Sequence, residues 1–154
     1  MVRGANNMEI EIITFPHFEG LDLPGYATQG SAGMDLRCAE TETIELAPLE
    51  RRAVRTGIAI AIPLGFEGQV RPRSGFSLKR GVGLVNSPGT IDADYRGELL
   101  VPLINFDPQP VRIERGSRIA QLIIAPLRQV SWRPVGKLAT TERGAGGFGH
   151  TGLD

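Results

Sequence analysis

Apolar residues recur along this chain with a period of two rather than 3.6. Glu9-Ile10-Glu11-Ile12-Ile13-Thr14-Phe15 alternates until its last residues, as a half-buried strand does. The run 53–62, AVRTGIAIAI, ends with isoleucine at every second position and predicts one strand, stopped by Pro63 and Gly65. Shorter runs of the same kind lie at 66–70, 81–85, 99–106, 111–113 and 119–125. Turn chemistry separates them: Pro63-Leu64-Gly65, Ser87-Pro88-Gly89, Asp107-Pro108-Gln109-Pro110 and Arg115-Gly116-Ser117. Ser87-Pro88-Gly89 predicts a hairpin between its flanking strands. Only 74–80 has the look of a helical turn. Many short strands without alternating helices predict an all-β fold, a sandwich, jelly roll or barrel, and exclude a parallel α/β sheet.

Composition narrows the function classes. The 154 residues suit one domain, and 17 Lys+Arg against 17 Asp+Glu give a net charge of zero. Nucleic acid or an anionic membrane as main partner would call for a basic excess. Cys38 is the single cysteine, so no internal disulfide forms, and with only His17 and His150 beside it the chain lacks the four ligands of a Cys/His zinc site. The start, MVRGANNMEIEII, predicts no signal peptide, and no run reaches the ~18 apolar residues of a membrane span. A soluble, cytoplasmic domain is expected.

The C-terminus departs from this pattern. RGAGGFGHTG, residues 143–152, has five glycines and one large apolar group, Phe148, so it predicts a flexible arm following a domain of residues 1–142. Residues 144–149 fit G-x-G-x-x-G, but a dinucleotide site needs a following helix and only five residues remain. Arg143 and Phe148 pair a phosphate-binding group with a stacking group.

Three internal segments are richer in polar groups than strand packing needs. Arg71-Pro72-Arg73-Ser74-Gly75 suits a phosphate, through bidentate guanidinium pairing and turn amides, and equally a solvated arginine pair at a strand end. In 86–97, NSPGTIDADYRG, Asp92 and Asp94 share one face if the chain is extended. Such carboxylates activate water, hold Mg²⁺ through its water shell, or simply face solvent. Gln121 lies among apolar residues, and a buried amide without partners costs roughly 1–3 kcal/mol. Either a ligand or the backbone can satisfy it.

Taken together and in order, Ala32-Gly33-Met34-Asp35-Leu36, Arg73-Ser74-Gly75, 89–97 (GTIDADYRG), Arg118-Ile119-Ala120-Gln121-Leu122 and 143–149 (RGAGGFG) resemble the five motifs of the homotrimeric deoxyuridine triphosphatase (dUTPase) family. The lead-in 26–31, YATQGS, is similar too, and the resemblance spans roughly residues 20 to 152. It implies a jelly-roll-like β-sandwich that assembles as a homotrimer and, with Mg²⁺, hydrolyses dUTP to dUMP and pyrophosphate. Three subunits would build each site, and the arm of one would close over it. Asp92 would be the base that orients water toward the α-phosphorus. Asn86, Thr90 and Ile91 would read the uracil edge, Tyr95 would pack under the deoxyribose, and Leu100 would line the same pocket. Arg73, Ser74, Gly75 and Gln121 would hold the phosphates, Arg143 would grip the γ-phosphate and Phe148 would cover the base. Asp35 would support the metal's water shell or neighbouring side chains, with no residue binding Mg²⁺ directly. His150 stands where the family commonly has a small hydroxyl residue.

Three other classes compete, one of them a structural jelly-roll protein such as a capsid or lectin domain, which would leave the glycine-rich C-terminal motif unexplained. The related dCTP deaminases share the fold, but their deaminating glutamate aligns with Pro102, which cannot act as a base. A non-catalytic nucleotide-binding module has no use for a carboxylate such as Asp92 beside phosphate.

Overall fold

Alternating branched residues form strands because each pleated face can then be wholly apolar or wholly polar. In the computed structural model, which describes residues 8–147, this produces eleven strands and one α-helix among the described residues. In chain order they are β1 (Glu11–Thr14), β2 (Met34–Arg37), β3 (Ile44–Leu46), β4 (Arg51–Arg55), β5 (Ile58–Ala61), β6 (Phe66–Arg71), α1 (Ser74–Arg80), β7 (Val82–Leu84), β8 (Gly89–Ile91), β9 (Leu100–Asn105), β10 (Val111–Ile113) and β11 (Arg118–Pro126). A 3₁₀ turn covers Pro16–Phe18. All pairings are antiparallel, in four sheets ordered β2-β11-β6-β8, β4-β9-β7, β1-β5 and β10-β3. The all-β expectation holds, as a sandwich of open sheets rather than a closed barrel.

The inner faces supply one core. Leu36, Leu46, Val54, Ile58, Leu99, Val101, Leu103, Ile113 and Ile119 are all essentially inaccessible. Each such side chain stabilises the fold by roughly 1.5–3 kcal/mol relative to exposure. Thr56 and Asn105 are buried polar residues among them. Asn105 Nδ2 donates to the carbonyls of Leu46 and Gln109 at 2.9 Å, and its Oδ1 accepts from Asp107 N at 2.8 Å, so no polar atom of its amide is left unpaired. Gly81 closes α1 at φ +62°, where a Cβ would lie 2.9 Å from the Asp107 backbone nitrogen.

Two sequence expectations are corrected. The run 53–62 is not one strand. It breaks between β4, which pairs with β9, and β5, which pairs with β1 in another sheet. Gly57 makes the break at φ +71°, and a Cβ there would sit 2.9 Å from the Phe18 Cβ. Ser87-Pro88-Gly89 does turn the chain, through a cis Ser87–Pro88 peptide, but it closes no hairpin. The strand before it, β7, pairs with β9, and the strand after it, β8, pairs with β6. The turn is a crossover between sheets.

Beyond β11, residues 127–147 form neither strand nor helix and are almost all exposed, Trp132 and Leu138 included.

Candidate active site

Three strand ends converge on a cavity of about 330 Å³, lined by Asp35, Arg73, Ser74, Gly75, Arg118 and Gln121 together with the 25–33 loop. The central strand, β11, explains how. In a regular strand Arg118 and Gln121, three apart, would point to opposite faces. The register slips by one residue between Arg118 and Ala120, a bulge that leaves Ile119 and Ala120 both fully buried. Parity is thereby reset, and Arg118 and Gln121 both reach the cavity. Gln121 lies opposite Asp35 of β2 on one side and Arg71 of β6 on the other.

Asp35 is the hub of the charges. Its Oδ1 accepts from Arg73 Nε at 2.6 Å and its Oδ2 from Arg118 Nη1 at 3.0 Å. Arg73 Nη1 also donates to the Arg118 carbonyl at 3.3 Å. Two guanidiniums against one carboxylate leave the lining net positive. Gln121 Nε2 donates to the Pro72 carbonyl at 2.8 Å and so tethers the turn that carries Arg73. Its carbonyl end sits against Gly33, where an added Cβ would come within 2.6 Å of Oε1. No side chain caps α1, so the first-turn amides beside Ser74 and Gly75 remain available to an anion. Guanidiniums, amides and a hydroxyl are a lining for phosphate oxygens.

The residues from 86 to 100 form a second group. Asn86 folds over Gly89, with its Nδ2 3.1 Å from where a Cβ would stand. Thr90 is exposed opposite Gln69 of β6, and Ile91 packs on the core beside Gly68. Asp92 and Asp94 are not in extended chain: Tyr95 N bonds to the Asp92 carbonyl at 3.1 Å, so the two carboxylates lie in a turn. Both line an opening of about 630 Å³ with Phe66 and Arg128. Arg96 Nη1 locks that turn through the carbonyls of Ala93 at 2.6 Å and Tyr95 at 2.8 Å. The Tyr95 ring lies across Gly97, where a Cβ would overlap it, and Leu100 is half exposed at the start of β9.

Within one chain Asp92 stays apart from the first group, although Gly89 of the second pairs with Val70, next to Arg71. Ile91 is opposite Gly68, and Asp92 lies beyond it, toward the Phe66 end of β6. Arg73 and Ser74 follow the other end, past Arg71. Three residues of strand, about 10 Å at ~3.3 Å each, separate Gly68 from Arg71 alone. Arg143 is exposed, and its Nε donates to the Gly146 carbonyl at 2.9 Å. Phe148 and His150 lie outside the described residues.

Sequence reasoning missed Arg118 and the 25–33 loop as parts of the lining. The signal for Arg118 was a second arginine three residues before Gln121, legible only to a reader who anticipated the bulge.

Comparison with known proteins fits this geometry. The profile of the dUTPase family matches residues 20–152. Two relatives are called deoxyuridine 5'-triphosphate nucleotidohydrolase. The one from Wolbachia sp. subsp. Brugia malayi (strain TRS) is 55% identical over 96% of this chain and 96% of its own. The one from Rhizobium meliloti (strain 1021) is 51% identical over 97% and 95%. Among solved structures, the Staphylococcus bacteriophage 80alpha dUTPase with dUPNHPP superposes with a TM-score of 0.84 at 28% identity, covering 96% of this chain and 100% of that one. Donor-rich lining, five ordered motifs and near full-length similarity converge: this chain belongs to the dUTPase family.

Proposed function

We propose that this chain, as a dUTP nucleotidohydrolase, hydrolyses dUTP to dUMP and pyrophosphate by water attack on the α-phosphorus, at sites shared between the subunits of a homotrimer. The observation that carries the reading is the cavity in which Asp35 holds Arg73 and Arg118 beside Ser74, Gly75 and Gln121. A triphosphate with about four negative charges needs such a donor-rich, net positive lining. Asp92 supplies the base. It is exposed on a turn pinned by Arg96, and a positioned carboxylate acting on water contributes roughly 10²–10⁴-fold.

Asn86, Thr90 and Ile91 form the uracil-reading edge. Thymine adds one methyl, and apolar packing alone discriminates a methylene by only about 1–3 kcal/mol. Its rejection therefore rests on a clash with the backbone around Thr90. Tyr95, with the hydroxyl end of its ring against Gly97, lies under the sugar beside Leu100 and excludes a 2′-hydroxyl. Arg143 binds the γ-phosphate and Phe148 covers the base once the arm closes.

Mg²⁺ fits this donor set as an ion that arrives on the substrate. Both oxygens of Asp35 are occupied by arginines, and no cluster of three His, Cys, Asp or Glu side chains occurs among the described residues. Phosphate oxygens and water would hold it, and Asp35 would act by orienting Arg73 and Arg118. The ion neutralises phosphate charge. Free, buried Cys38 agrees with a cytoplasmic location.

The separation of Asp92 from Arg73 and Ser74 within one chain supports the shared site, and a mixing experiment tests it. Asp92→Asn and Arg73→Ala/Ser74→Ala variants, each inactive alone, are unfolded together and refolded at equal concentration. If one chain supplies Asp92 and its neighbour the phosphate lining, about a quarter of the sites in random trimers regain both parts. No recovery would show that each chain builds its own site. In ¹⁸O-labelled water the label belongs in dUMP; its appearance in pyrophosphate would overturn attack at the α-phosphorus.

A further inference from the structure

Outside the phosphate lining, Glu98 is a largely buried carboxylate paired with a histidine, a pairing that the proposed chemistry does not use. Glu98 Oε1 lies 2.8 Å from His17 Nε2 and accepts from Gly57 N at 2.8 Å. Both side chains are largely buried, at 17% exposure each. His17 is itself held, stacked on Phe15 with ring centroids 5.8 Å apart. Three distant segments thus meet at one carboxylate oxygen: the 3₁₀ turn after β1, the β4–β5 turn, and the residue directly after Gly97.

The backbone of Glu98 faces the nucleoside segment. Its carbonyl accepts from Tyr95 Oη at 2.9 Å. Tyr95 is therefore fixed at three places: its own amide on the Asp92 carbonyl, the hydroxyl end of its ring against Gly97, and its hydroxyl on the Glu98 carbonyl. Only the third depends on a side chain that reaches away from the segment. Leu99, next in sequence, is anchored separately, its amide on the Ile58 carbonyl at 2.9 Å and its carbonyl on Thr56 Oγ1 at 2.6 Å. Losing the Glu98 carboxylate would leave β9 in place and free the residue on which the tyrosine hydroxyl rests.

We infer that Glu98 and His17 are positioning residues for sugar selectivity, setting the height of the Tyr95 ring through the Glu98 carbonyl. The inference rests on the proposed role of Tyr95 under the deoxyribose. A ring that excludes one hydroxyl must hold its place to a fraction of an ångström, and an aromatic ring hinged only at its backbone does not. Glu98 touches no substrate in this scheme.

The test is the ratio of kcat/KM for dUTP to that for UTP. Glu98→Ala lowers the ratio about tenfold or more, chiefly by raising turnover of UTP, whereas Glu98→Gln, which keeps an acceptor for Gly57 N, retains most of it. Tyr95→Phe lowers the ratio comparably, and Tyr95→Phe/Glu98→Ala falls no further, since both act through one bond. His17→Phe keeps the stack on Phe15 but removes the bond to Glu98. It lowers the ratio less than Glu98→Ala and serves where that variant does not fold. If Glu98→Ala or His17→Phe slows dUTP and UTP by equal factors, the pair is merely structural and the inference is overturned. Tyr95→Ala separates the two levels. If it abolishes selectivity while Glu98→Ala does not, only the inference fails; if it leaves selectivity intact, the sugar role of Tyr95 fails first.

Discussion

Replacing Asp35 by asparagine separates two accounts of the phosphate lining. The change is nearly isosteric and removes one negative charge from between Arg73 and Arg118. By electrostatics alone the cavity becomes more positive and binds triphosphate more tightly. If Asp35 matters by aiming the guanidiniums, the geometry that holds the reacting phosphate degrades instead. The bonds lost or weakened are those from Arg73 Nε at 2.6 Å and Arg118 Nη1 at 3.0 Å. Buried charge-assisted bonds contribute about 1.5–3 kcal/mol each. Here Asp35 and Arg73 are a quarter exposed and Arg118 is half exposed, so the appropriate range is nearer that of surface pairs, about 0.2–1 kcal/mol each. Together they set a loss of about 0.4–2 kcal/mol, or roughly 2- to 30-fold. That loss is expected in kcat for dUTP, with inhibition by free pyrophosphate unchanged or stronger. Steady-state kinetics with a pyrophosphate inhibition series measures both. An unchanged kcat with a lowered KM would refute the positioning argument and leave Asp35 as a brake on affinity.

Three other outcomes follow from the same structure. Gly33→Ala places a Cβ against Gln121 Oε1, so the amide must swing away from Pro72; KM for dUTP rises several-fold while the melting temperature moves by only a few degrees, as kinetics and calorimetry would show. Glu40 is subject to burial, which alone would raise its pKa, but bonds from the Arg55 side chain and backbone outweigh it and hold the carboxyl below its ordinary 4.5. Its contribution to stability is therefore complete above pH 4.5 and lost as pH falls through the lower folded value; Glu40→Gln flattens this acid limb in urea titrations across that range. Deleting residues 143–154 leaves a folded β domain by circular dichroism and lowers kcat/KM for dUTP by about tenfold or more, since Arg143 and Phe148 go with the arm.

Much of this molecule was legible because its strands report burial face by face. The alternation in 99–106 becomes the buried and half-exposed pattern of β9, and the lone helical turn at 74–80 becomes α1. What failed to show were features that depend on which strand pairs with which. Nothing in 53–62 distinguishes a long strand from two short ones in different sheets, because Gly57 is tolerated in either; the left-handed φ and the crowding by Phe18 are tertiary facts. Ser87-Pro88-Gly89 marks a turn by local chemistry, yet hairpin and crossover share that chemistry and differ only in the neighbours of β8. The site divides along the same line. Asp35, Arg73, Ser74 and Gln121 could be chosen as residue types suited to phosphate, but Arg118 joins Gln121 only through the β11 bulge, which turns a spacing of three into one shared face. Asp92 poses the complementary case. The type and turn context that suit it to the proposed base are local, and its distance from Arg73 and Ser74 is a property of β6. A sequence pattern of period two can therefore nominate each group of side chains, while sheet order sets Asp92 and the Arg73–Ser74 turn toward opposite ends of β6 within one chain.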